Sequence, residues 1–260
     1  ASKKIVYLHQ PIPLQNEKSF SFYKRREFKL AIYQKLIGQL IKRSLRKIKP
    51  TVIVQTEWMR RATAKQCQLS EKDIIVRHPE VNVDNKNEAY HGNGRHFFYP
   101  ASNFLYKNHE VIARASSILN KKGIHDFKID FTLNKDQLNI RSNNISYIGH
   151  QSRKIVMEKY NSEVLIFPSY IESFGLPLIE AAIKGDIIFV ADTEFSHELL
   201  QNYNNVYFFR YDDAEKLSKL MEKSIKGDIK ADGTKLMIND NGERLIKTIM
   251  NITTESYDAN

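Results

Sequence analysis

Residues 168–180 read PSYIESFGLPLIE, and this stretch decides the fold. It directly follows four apolar residues, Val164–Phe167, a length and composition typical of a strand buried on both faces of a parallel sheet. Gly175 permits the tight backbone of a turn, and Pro177 suits the first turn of a helix. The sequence therefore predicts a strand, a short loop and a helix over Leu176–Lys184. Such a helix begins at the carboxyl end of a strand, where open α/β sheets bind their ligands.

Two carboxylates, Glu172 and Glu180, stand eight positions apart on either side of this turn. The predicted loop places Glu172 beside a ligand at the strand end, and Glu180 about one turn inside the helix. Carboxylates accept hydrogen bonds from sugar hydroxyl groups, and the free N–H groups at a helix start suit a phosphate. The segment therefore indicates a ligand that carries sugar and phosphate groups.

Three further segments accompany this stretch in a matching order. Residues 107–109 read KNH, residues 144–149 read NISYIG, and residues 185–192 read GDIIFVAD. Over about residues 95–225, the four segments resemble the motifs of retaining GT4-type glycosyltransferases. Those motifs are a phosphate-contacting turn, a strand and glycine before the donor loop, an E-x7-E loop and a G-x-P-V-I-A-S strand. The resemblance implies the GT-B architecture, an α/β fold of two Rossmann-like domains with parallel sheets.

The resemblance also implies a role for each matching residue. Glu180 is expected to accept hydrogen bonds from the donor's ribose, and Glu172 from the transferred sugar. Lys107 is expected to hold the diphosphate, because its full charge adds to the partial charge of a helix start. His9 resembles the family's histidine at a strand end, which contacts the donor sugar; a histidine that only caps the strand is the alternative. The expected donor-binding residues are Lys107, Gly149, Ser173, Phe174, Gly175, Leu176 and Glu180, with Glu172 and His9 as catalytic residues.

One position departs from the family pattern. Ala101 stands six residues before Lys107, where the family usually has an arginine. This departure weakens the phosphate site unless Ser102, Asn103 or a residue elsewhere takes the place of the arginine. Thr56 lies in the segment QTEWM, which is similar to a helix start of the family, and is expected to cap that helix.

Apolar runs alternate with helical segments along the chain, which predicts parallel sheets covered by helices. A first domain over residues 1–84 is shorter than its counterpart in the family. A fragment, a naturally short form and a chain completed by a separate polypeptide all fit this shortness. The polar residues 83–94 are predicted to be a linker, residues 85–230 the nucleotide-sugar-binding domain, and residues 231–260 a helical tail. Strands are predicted at residues 5–8, 52–54, 74–76, 97–99, 127–131, 145–148, 164–167, 187–191 and 206–209.

Composition restricts the remaining possibilities. The chain has 260 residues, 42% of them hydrophobic, so it is expected to bury a sizeable core. Its single cysteine, Cys67, excludes an internal disulfide and fits a reducing compartment. The sequence has no run of about 18 apolar residues and no signal-peptide pattern. These features predict a cytoplasmic protein, either soluble or peripheral at the inner face of the membrane.

The net charge of +10 is concentrated in residues 22–49, which contain ten basic residues against one acid, a net +9. Apolar residues recur there at a spacing of four, so the pattern predicts a long amphipathic helix. Such a helix suits an anionic membrane surface. A plain surface helix and a nucleic-acid contact are the alternatives, and the stacking motifs and zinc spacings that favour nucleic acid are absent. The predicted membrane contacts are Arg25, Arg26, Lys42 and Arg43.

The resemblance and the site residues together predict a retaining glycosyltransferase with a UDP- or GDP-linked donor. The expected acceptor is a glycan or a polyprenyl-linked glycan, and the expected process is surface polysaccharide biosynthesis. Neither a metal nor a cofactor other than the donor substrate is expected, because the family neutralises its leaving group with helix dipoles and basic side chains. A binding module without catalysis is one alternative. A nucleotide-sugar epimerase or hydrolase of the same architecture is the other, and it requires a cluster of histidines or carboxylates for proton chemistry.

Overall fold

The computed structural model describes residues 4–81, 89–237 and 245–254, whose strands and helices alternate as predicted. The strands are β1 Ile5–Tyr7, β2 Thr51–Val54, β3 Ile74–Val76, β4 His96–Tyr99, β5 Lys128–Phe131, β6 Ile145–Tyr147, β7 Val164–Phe167, β8 Ile188–Ala191 and β9 Val206–Phe209. The helices are α1 Phe28–Ile32, α2 Gly38–Ile48, α3 Glu57–Cys67, α4 His109–Lys121, α5 Arg153–Lys159, α6 Leu176–Lys184, α7 Glu194–Leu200, α8 Ala214–Ile225 and α9 Leu245–Thr254. A π-helical segment, Tyr33–Ile37, joins α1 to α2, and the 3₁₀ turns Glu71–Asp73 and Leu105–Lys107 precede β3 and α4.

The described strands form two parallel sheets. One has the order β1-β2-β3 and the other the order β6-β5-β4-β7-β8-β9. Every strand pair in both sheets is parallel. These sheets confirm the predicted fold class, an α/β protein with parallel sheets.

The chain divides into two compact units. Unit 1 comprises residues 4–80, 171–174 and 245–254 and contains the three-stranded sheet. Unit 2 comprises residues 81, 89–170 and 175–237 and contains the six-stranded sheet. Residues 83–88 of the predicted linker lie outside the described residues, and α9 is the described helix of the predicted tail.

The six-stranded sheet is covered on both faces. All residues of β7 and β8 are buried, as expected for central strands of a parallel sheet. After β4 the chain crosses to β5 on one side of it in the sheet. After β7 it crosses to β8, in the opposite direction along the sheet. Right-handed crossovers therefore place α4 and α6 on opposite faces. The point between β4 and β7, where the direction of winding reverses, is a topological switch point, the usual place for a ligand in an open α/β sheet.

The basic segment forms a shorter helix than predicted. The helix begins at Phe28, so the prediction is wrong for residues 22–27, which form bends and a turn. The buried Glu27 explains the difference, because its carboxylate accepts from the Ser21 N–H at 2.9 Å and pairs with Lys18 at 3.1 Å. These contacts bring Lys18 and Ser21 close to Glu27, so residues 22–27 turn instead of continuing the helix. Burial favours protonation of Glu27, but these partners outweigh it and lower its pKa.

The outer face of this helix carries apolar residues. Leu36 and Leu40 are 56% and 61% exposed, whereas Ala31, Gly38 and Leu45 are buried. The apolar stripe predicted from the sequence is therefore in part exposed rather than packed into a core.

A buried ion-pair network ties α5 to the strands of unit 2. The Lys159 ammonium lies 2.7 Å from the Asp130 carboxylate of β5 and 2.7 Å from the carboxylate of Glu163. Burial lowers the pKa of Lys159, but its hydrogen bonds to the two carboxylates outweigh that effect and the pKa is raised. Lys128 also contacts Asp130, at 3.0 Å, from a half-exposed position.

We expect Lys159→Met to lower the free energy of unfolding by about 3 kcal/mol, because it removes the ammonium that pairs with the largely buried Glu163 and leaves Asp130 only the half-exposed Lys128. The measurement is urea denaturation followed by circular dichroism. Lys154→Met is the matched control on the same helix, since Lys154 is exposed and lies 4.0 Å from Glu158. The control is expected to change stability by less than about 0.5 kcal/mol. Equal urea midpoints for the two variants would show that the network does not stabilise unit 2.

Candidate functional site

The loops that follow β4 and β7 are hydrogen-bonded to each other at the switch point of unit 2. The Tyr106 carbonyl accepts from the Tyr170 N–H at 3.2 Å and from the Ser169 hydroxyl at 3.3 Å. Asn108 has left-handed backbone geometry (φ 60°), and its side-chain amide donates to the Tyr211 carbonyl at 2.6 Å. The structure therefore brings the 107–109 segment and the start of the 168–180 segment together.

Lys107 lies in this turn, at the end of the 3₁₀ segment rather than in a helix. The helix predicted to start at Lys107 begins at His109, because the left-handed Asn108 interrupts the backbone. The Lys107 carbonyl accepts from the Tyr99 hydroxyl at 2.8 Å, which ties the turn to the last residue of β4. The Lys107 ammonium lies 5.7 Å from the centroid of the Tyr106 ring.

His109 supports the Lys107 turn, a role that sequence reasoning missed. Its buried ring packs against Tyr99 and Phe131, with ring centroids 4.8 and 4.9 Å away. Burial, assisted by the nearby Lys107 charge, lowers the pKa of His109 to about 4. The ring is therefore neutral at pH 7 and adds no charge beside Lys107. Its position two residues after Lys107 was the only available signal.

Helix α6 has the predicted bounds. Gly175 has a φ of 97°, and a Cβ there would lie 3.4 Å from both Leu178 and Leu199. The structure therefore favours a glycine at this position, and the chain turns there from the loop into α6. Leu176 begins the helix and Pro177 lies in its first turn.

Glu180 is buried on α6 and forms an ion pair with Arg153, the first residue of α5. The Glu180 Oε1 lies 2.5 Å from the Arg153 Nη1. Burial raises the pKa of Glu180, and the Arg153 charge opposes this shift without cancelling it. Sequence reasoning missed Arg153. The available signal was its position four residues after Gly149, in the segment that follows the strand and glycine resembling those of the family.

Gly149 lies two residues beyond β6, in a conformation that favours glycine. Its φ is 69°, and a Cβ there would approach the Asn134 side-chain oxygen to 3.0 Å. Its N–H donates to the Leu133 carbonyl at 3.0 Å. Gly149 therefore shapes the loop that leads to Arg153.

Glu172, Ser173 and Phe174 belong to unit 1. The Thr56 hydroxyl donates to the Ser173 carbonyl at 3.0 Å, and the Phe174 ring lies 5.4 Å from that of His78. Thr56 occupies the N-cap position of α3, but the prediction that its side chain caps the helix is wrong, because the hydroxyl bonds to Ser173 instead. Thr56 and His78 thus hold the short loop that carries Glu172.

His9 lies two residues beyond β1 and is exposed. Its ring stacks on that of Tyr7 at a centroid distance of 6.0 Å. The Tyr7 hydroxyl accepts from the Gln55 side-chain amide at 2.7 Å, next to Thr56. Because β1 and β2 are parallel neighbours, His9 and Thr56 lie at the same edge of the three-stranded sheet.

The predicted membrane contacts differ in their surroundings. Arg25 and Arg26 lie exposed in the turn before α1, and Arg43 is exposed on α2. Lys42 is only half-exposed, and burial lowers its pKa, an effect that nearby Cys67 partly opposes. Lys42 therefore lies towards Cys67 of α3, whereas Arg43 lies on the exposed face.

The described residues contain neither a metal-binding cluster of side chains nor a helix that could span a membrane. No three His, Cys, Asp or Glu side chains there lie in an arrangement that would hold a metal ion. No helix in residues 4–81, 89–237 or 245–254 is both long and apolar enough to span a membrane.

Solved structures with a similar fold include TarM, GtfA and HepE. TarM is 16% identical with a TM-score of 0.63, over 87% of this chain and 44% of TarM. The pneumococcal O-GlcNAc transferase GtfA, solved with UDP and GlcNAc, is 14% identical with a TM-score of 0.58, over 88% of this chain and 47% of GtfA. HepE of Anabaena, solved with UDP, is 12% identical with a TM-score of 0.59, over 89% of this chain and 65% of HepE.

At these identities, the likeness shows the fold alone. The chain spans about half the length of TarM and GtfA. Among curated protein sequences, none matches significantly. Residues 85–236 match the model of one family, described as glycosyl transferases group 1. This match includes Lys107, Gly149, Arg153 and the whole 168–180 segment, and it extends over more than half of the chain. The chain therefore belongs to the glycosyl transferases group 1 family.

Proposed function

We propose that this protein is a retaining glycosyltransferase that moves a sugar from a UDP- or GDP-linked donor to a glycan or polyprenyl-linked acceptor. One observation carries the proposal: the Lys107 turn is hydrogen-bonded to the start of the 168–180 segment at the topological switch point of unit 2. The chain in which this contact occurs belongs to the glycosyl transferases group 1 family. The neighbours solved with UDP support a nucleotide-linked donor. The reaction we propose uses no metal ion and no cofactor beyond the donor.

Lys107 and the backbone N–H groups near Phe174, Gly175 and Leu176 bind the donor diphosphate in this proposal. The leaving nucleoside diphosphate gains negative charge as the glycosidic bond breaks. Preorganised positive charge and N–H dipoles stabilise that charge in the transition state more than in the ground state. The hydrogen bonds that anchor the Lys107 turn support this role, because they fix the backbone of the turn before substrate binds.

Glu180 accepts hydrogen bonds from the ribose hydroxyl groups. An ionised carboxylate only accepts hydrogen bonds, with both of its oxygens, whereas protonation turns one oxygen into a donor. Burial alone favours the protonated form of Glu180, and the Arg153 guanidinium counteracts it. Arg153 is therefore a positioning residue that orients the Glu180 carboxylate and favours its charged form.

Glu172 and His9 contact the transferred sugar. The hydrogen bond from Thr56 to Ser173 orients the loop of Glu172, and a neutral imidazole can donate from one nitrogen and accept at the other. The acceptor hydroxyl attacks the anomeric carbon from the face on which the diphosphate departs, without a protein nucleophile. The C–O bond to the diphosphate breaks, a C–O bond to the acceptor forms, and the hydroxyl proton passes to the departing phosphate oxygen, so the anomeric configuration is retained.

The basic segment docks the protein on the inner face of an anionic membrane, where a lipid-linked acceptor of surface polysaccharide biosynthesis would be located. The exposed Leu36 and Leu40 lie four residues apart, and Arg43 follows three residues later on the same face. Apolar area and positive charge on one face are the two features that bind interfacial helices to anionic lipid.

One observation favours a second candidate, a nucleotide-sugar-binding module without catalysis. Ala101 is buried at the end of β4, where the family usually supplies an arginine for the diphosphate. A module of this kind would retain donor binding and lack turnover, so a transfer assay separates the two candidates.

We expect the protein to transfer label from one of a panel of radiolabelled UDP- and GDP-sugars to a membrane lipid or glycan extract. Replacing Glu172 with Gln, or His9 with Ala, should lower the transfer rate by about 100-fold, because each contacts the sugar as its bond breaks. Scintillation counting of the lipid-soluble fraction measures transfer, and calorimetry with the bare nucleoside diphosphate measures binding.

Both variants should bind the nucleoside diphosphate with unchanged affinity. Loss of that affinity would contradict the division of roles. Retained donor without transfer identifies the binding module, whereas an altered free nucleotide sugar identifies an epimerase or a hydrolase.

Glu180→Ala is expected to weaken binding of UDP or GDP by about 1–3 kcal/mol, because the ribose hydroxyls lose a charged acceptor. The affinity of the unmodified protein should also fall as pH decreases, starting at a higher pH than an ordinary glutamate would give. The reason is that burial raises the pKa of Glu180 and protonation removes the acceptor. Arg153→Gln should move this loss to still higher pH, since it removes the charge that opposes the shift.

Calorimetry over a pH series measures these affinities. Lys154→Gln is the matched control, because it removes a neighbouring exposed cation that does not contact Glu180. A pH profile unaffected by Arg153→Gln would remove the Arg153–Glu180 pair from the nucleotide site.

The joint substitution of Arg25, Arg26 and Arg43 by Gln is expected to reduce sedimentation with anionic vesicles several-fold. Each basic residue near the headgroups contributes about 1 kcal/mol. Raising the salt to 1 M should have a similar effect, because the Debye length falls to about 3 Å. Lys42→Gln should have a smaller effect than Arg43→Gln, since Lys42 lies towards α3.

Vesicles of neutral lipid serve as the reference. Equal sedimentation with neutral and anionic vesicles would leave a plain surface helix in place of a membrane contact.

A further inference from the structure

Phe104 is an exposed aromatic residue in the Lys107 turn of unit 2. Its side chain is 56% exposed, although phenylalanine is among the residue types most often buried. Its ring stacks on that of Tyr106 at a centroid distance of 5.5 Å, and the two ring planes differ by only 7°. The two ring planes are therefore nearly parallel, and we name Phe104 and Tyr106, with the flat face of the exposed Phe104 ring, the aromatic platform.

The platform is fixed to the sheet at several points. The Tyr106 carbonyl accepts two hydrogen bonds from the loop after β7, and the Lys107 carbonyl accepts one from Tyr99. On the other side, the Asn103 side-chain amide donates to the Gln137 carbonyl at 3.1 Å. A surface loop anchored on both sides of an exposed ring is preorganised, so binding to it costs little conformational entropy.

Its place and neighbours indicate the kind of ligand. The platform lies at the topological switch point, outside the carboxyl ends of β4 and β7, where open α/β sheets bind ligands. The Lys107 ammonium lies 5.7 Å from the Tyr106 centroid and offers N–H donors beside the flat face. A ligand that combines an apolar face with a rim of hydroxyl groups fits both features.

A pyranose ring has that construction. Its axial C–H hydrogens carry a small positive charge and together form an apolar face, which complements the negative π face of an aromatic ring. Its hydroxyl groups lie at the rim of the ring. We propose that the aromatic platform binds a pyranose ring of the saccharide acceptor, with its C–H face on Phe104. The inference rests on the proposed function, which assigns the donor's own sugar to Glu172 and His9 and so leaves the platform to the acceptor.

The test uses methyl glycosides of glucose, galactose, mannose and N-acetylglucosamine as probes, with the full chain saturated with UDP or GDP. Saturation-transfer NMR from the aromatic protons should reach the ring C–H protons of at least one glycoside and shift them upfield. Phe104→Ala should weaken that glycoside about tenfold, as expected for loss of one stacked aromatic contact. Phe104→Trp should retain the signal. Tyr23→Ala, which removes another exposed aromatic ring outside the Lys107 turn, should not change it.

Two control measurements accompany the NMR experiment. Circular dichroism establishes that the variants fold, and calorimetry establishes whether UDP or GDP binds Phe104→Ala as it binds the unmodified protein. Unchanged nucleotide affinity with a lost glycoside signal supports the platform. No glycoside signal in the unmodified protein, or an equal signal in Phe104→Ala, overturns it. Nucleotide binding that is lost in Phe104→Ala also overturns it, because the ring would then stack on the base.

Failure of the proposed function has a different signature. If no nucleotide sugar is turned over but the glycoside signals depend on Phe104, the transferase proposal fails and the saccharide platform stands. If transfer occurs and is insensitive to Phe104→Ala while no glycoside signal is seen, the platform fails and the transferase proposal stands.

Discussion

The hydrogen bonds that the Tyr106 carbonyl accepts from the loop after β7 are the contacts on which the unit 2 site depends. They exist because β4 and β7, which are about 65 residues apart in sequence, are parallel neighbours and end at the same edge of the sheet. The direction of winding reverses between these strands, and open α/β sheets bind their ligands at such a point. Lys107, the aromatic platform and the start of the 168–180 segment are therefore brought to one place by strand order.

The sequence predicts the strands and α6 well, because their signals are local. Four apolar residues followed by a glycine and a proline contain enough information to place β7 and α6. The start of the basic helix was not predictable in the same way. The hydrogen bond and ion pair of Glu27 with Ser21 and Lys18 make a turn more favourable than another helical turn, and periodicity does not report such contacts.

The missed site residues have a common physical cause. Arg153, His78 and His109 contact Glu180, Phe174 and Tyr99, and the two residues of each pair lie in different segments of the chain. Residue spacing within one segment reveals Glu172 and Glu180, but it does not reveal which side chain will be packed against them. Thr56 is a related case, because the sequence predicts its position as an N-cap correctly and its hydrogen-bond partner wrongly.

Charge in unit 2 is arranged so that burial and pairing oppose each other. Burial raises the pKa of Glu180 while Arg153 opposes it, and burial lowers the pKa of Lys159 while Asp130 and Glu163 oppose it. For Lys159 the partners prevail, and for Glu180 burial prevails. Exposure of the partners explains part of this difference in the direction of the pKa shifts. Solvent screens the half-exposed Arg153, so it offsets the desolvation of Glu180 less than the two largely buried carboxylates offset that of Lys159. A buried carboxylate with a raised pKa is sensitive to what binds beside it. Hydroxyl donors from a ribose would favour its charged form, so ligand binding and ionisation of Glu180 would reinforce each other.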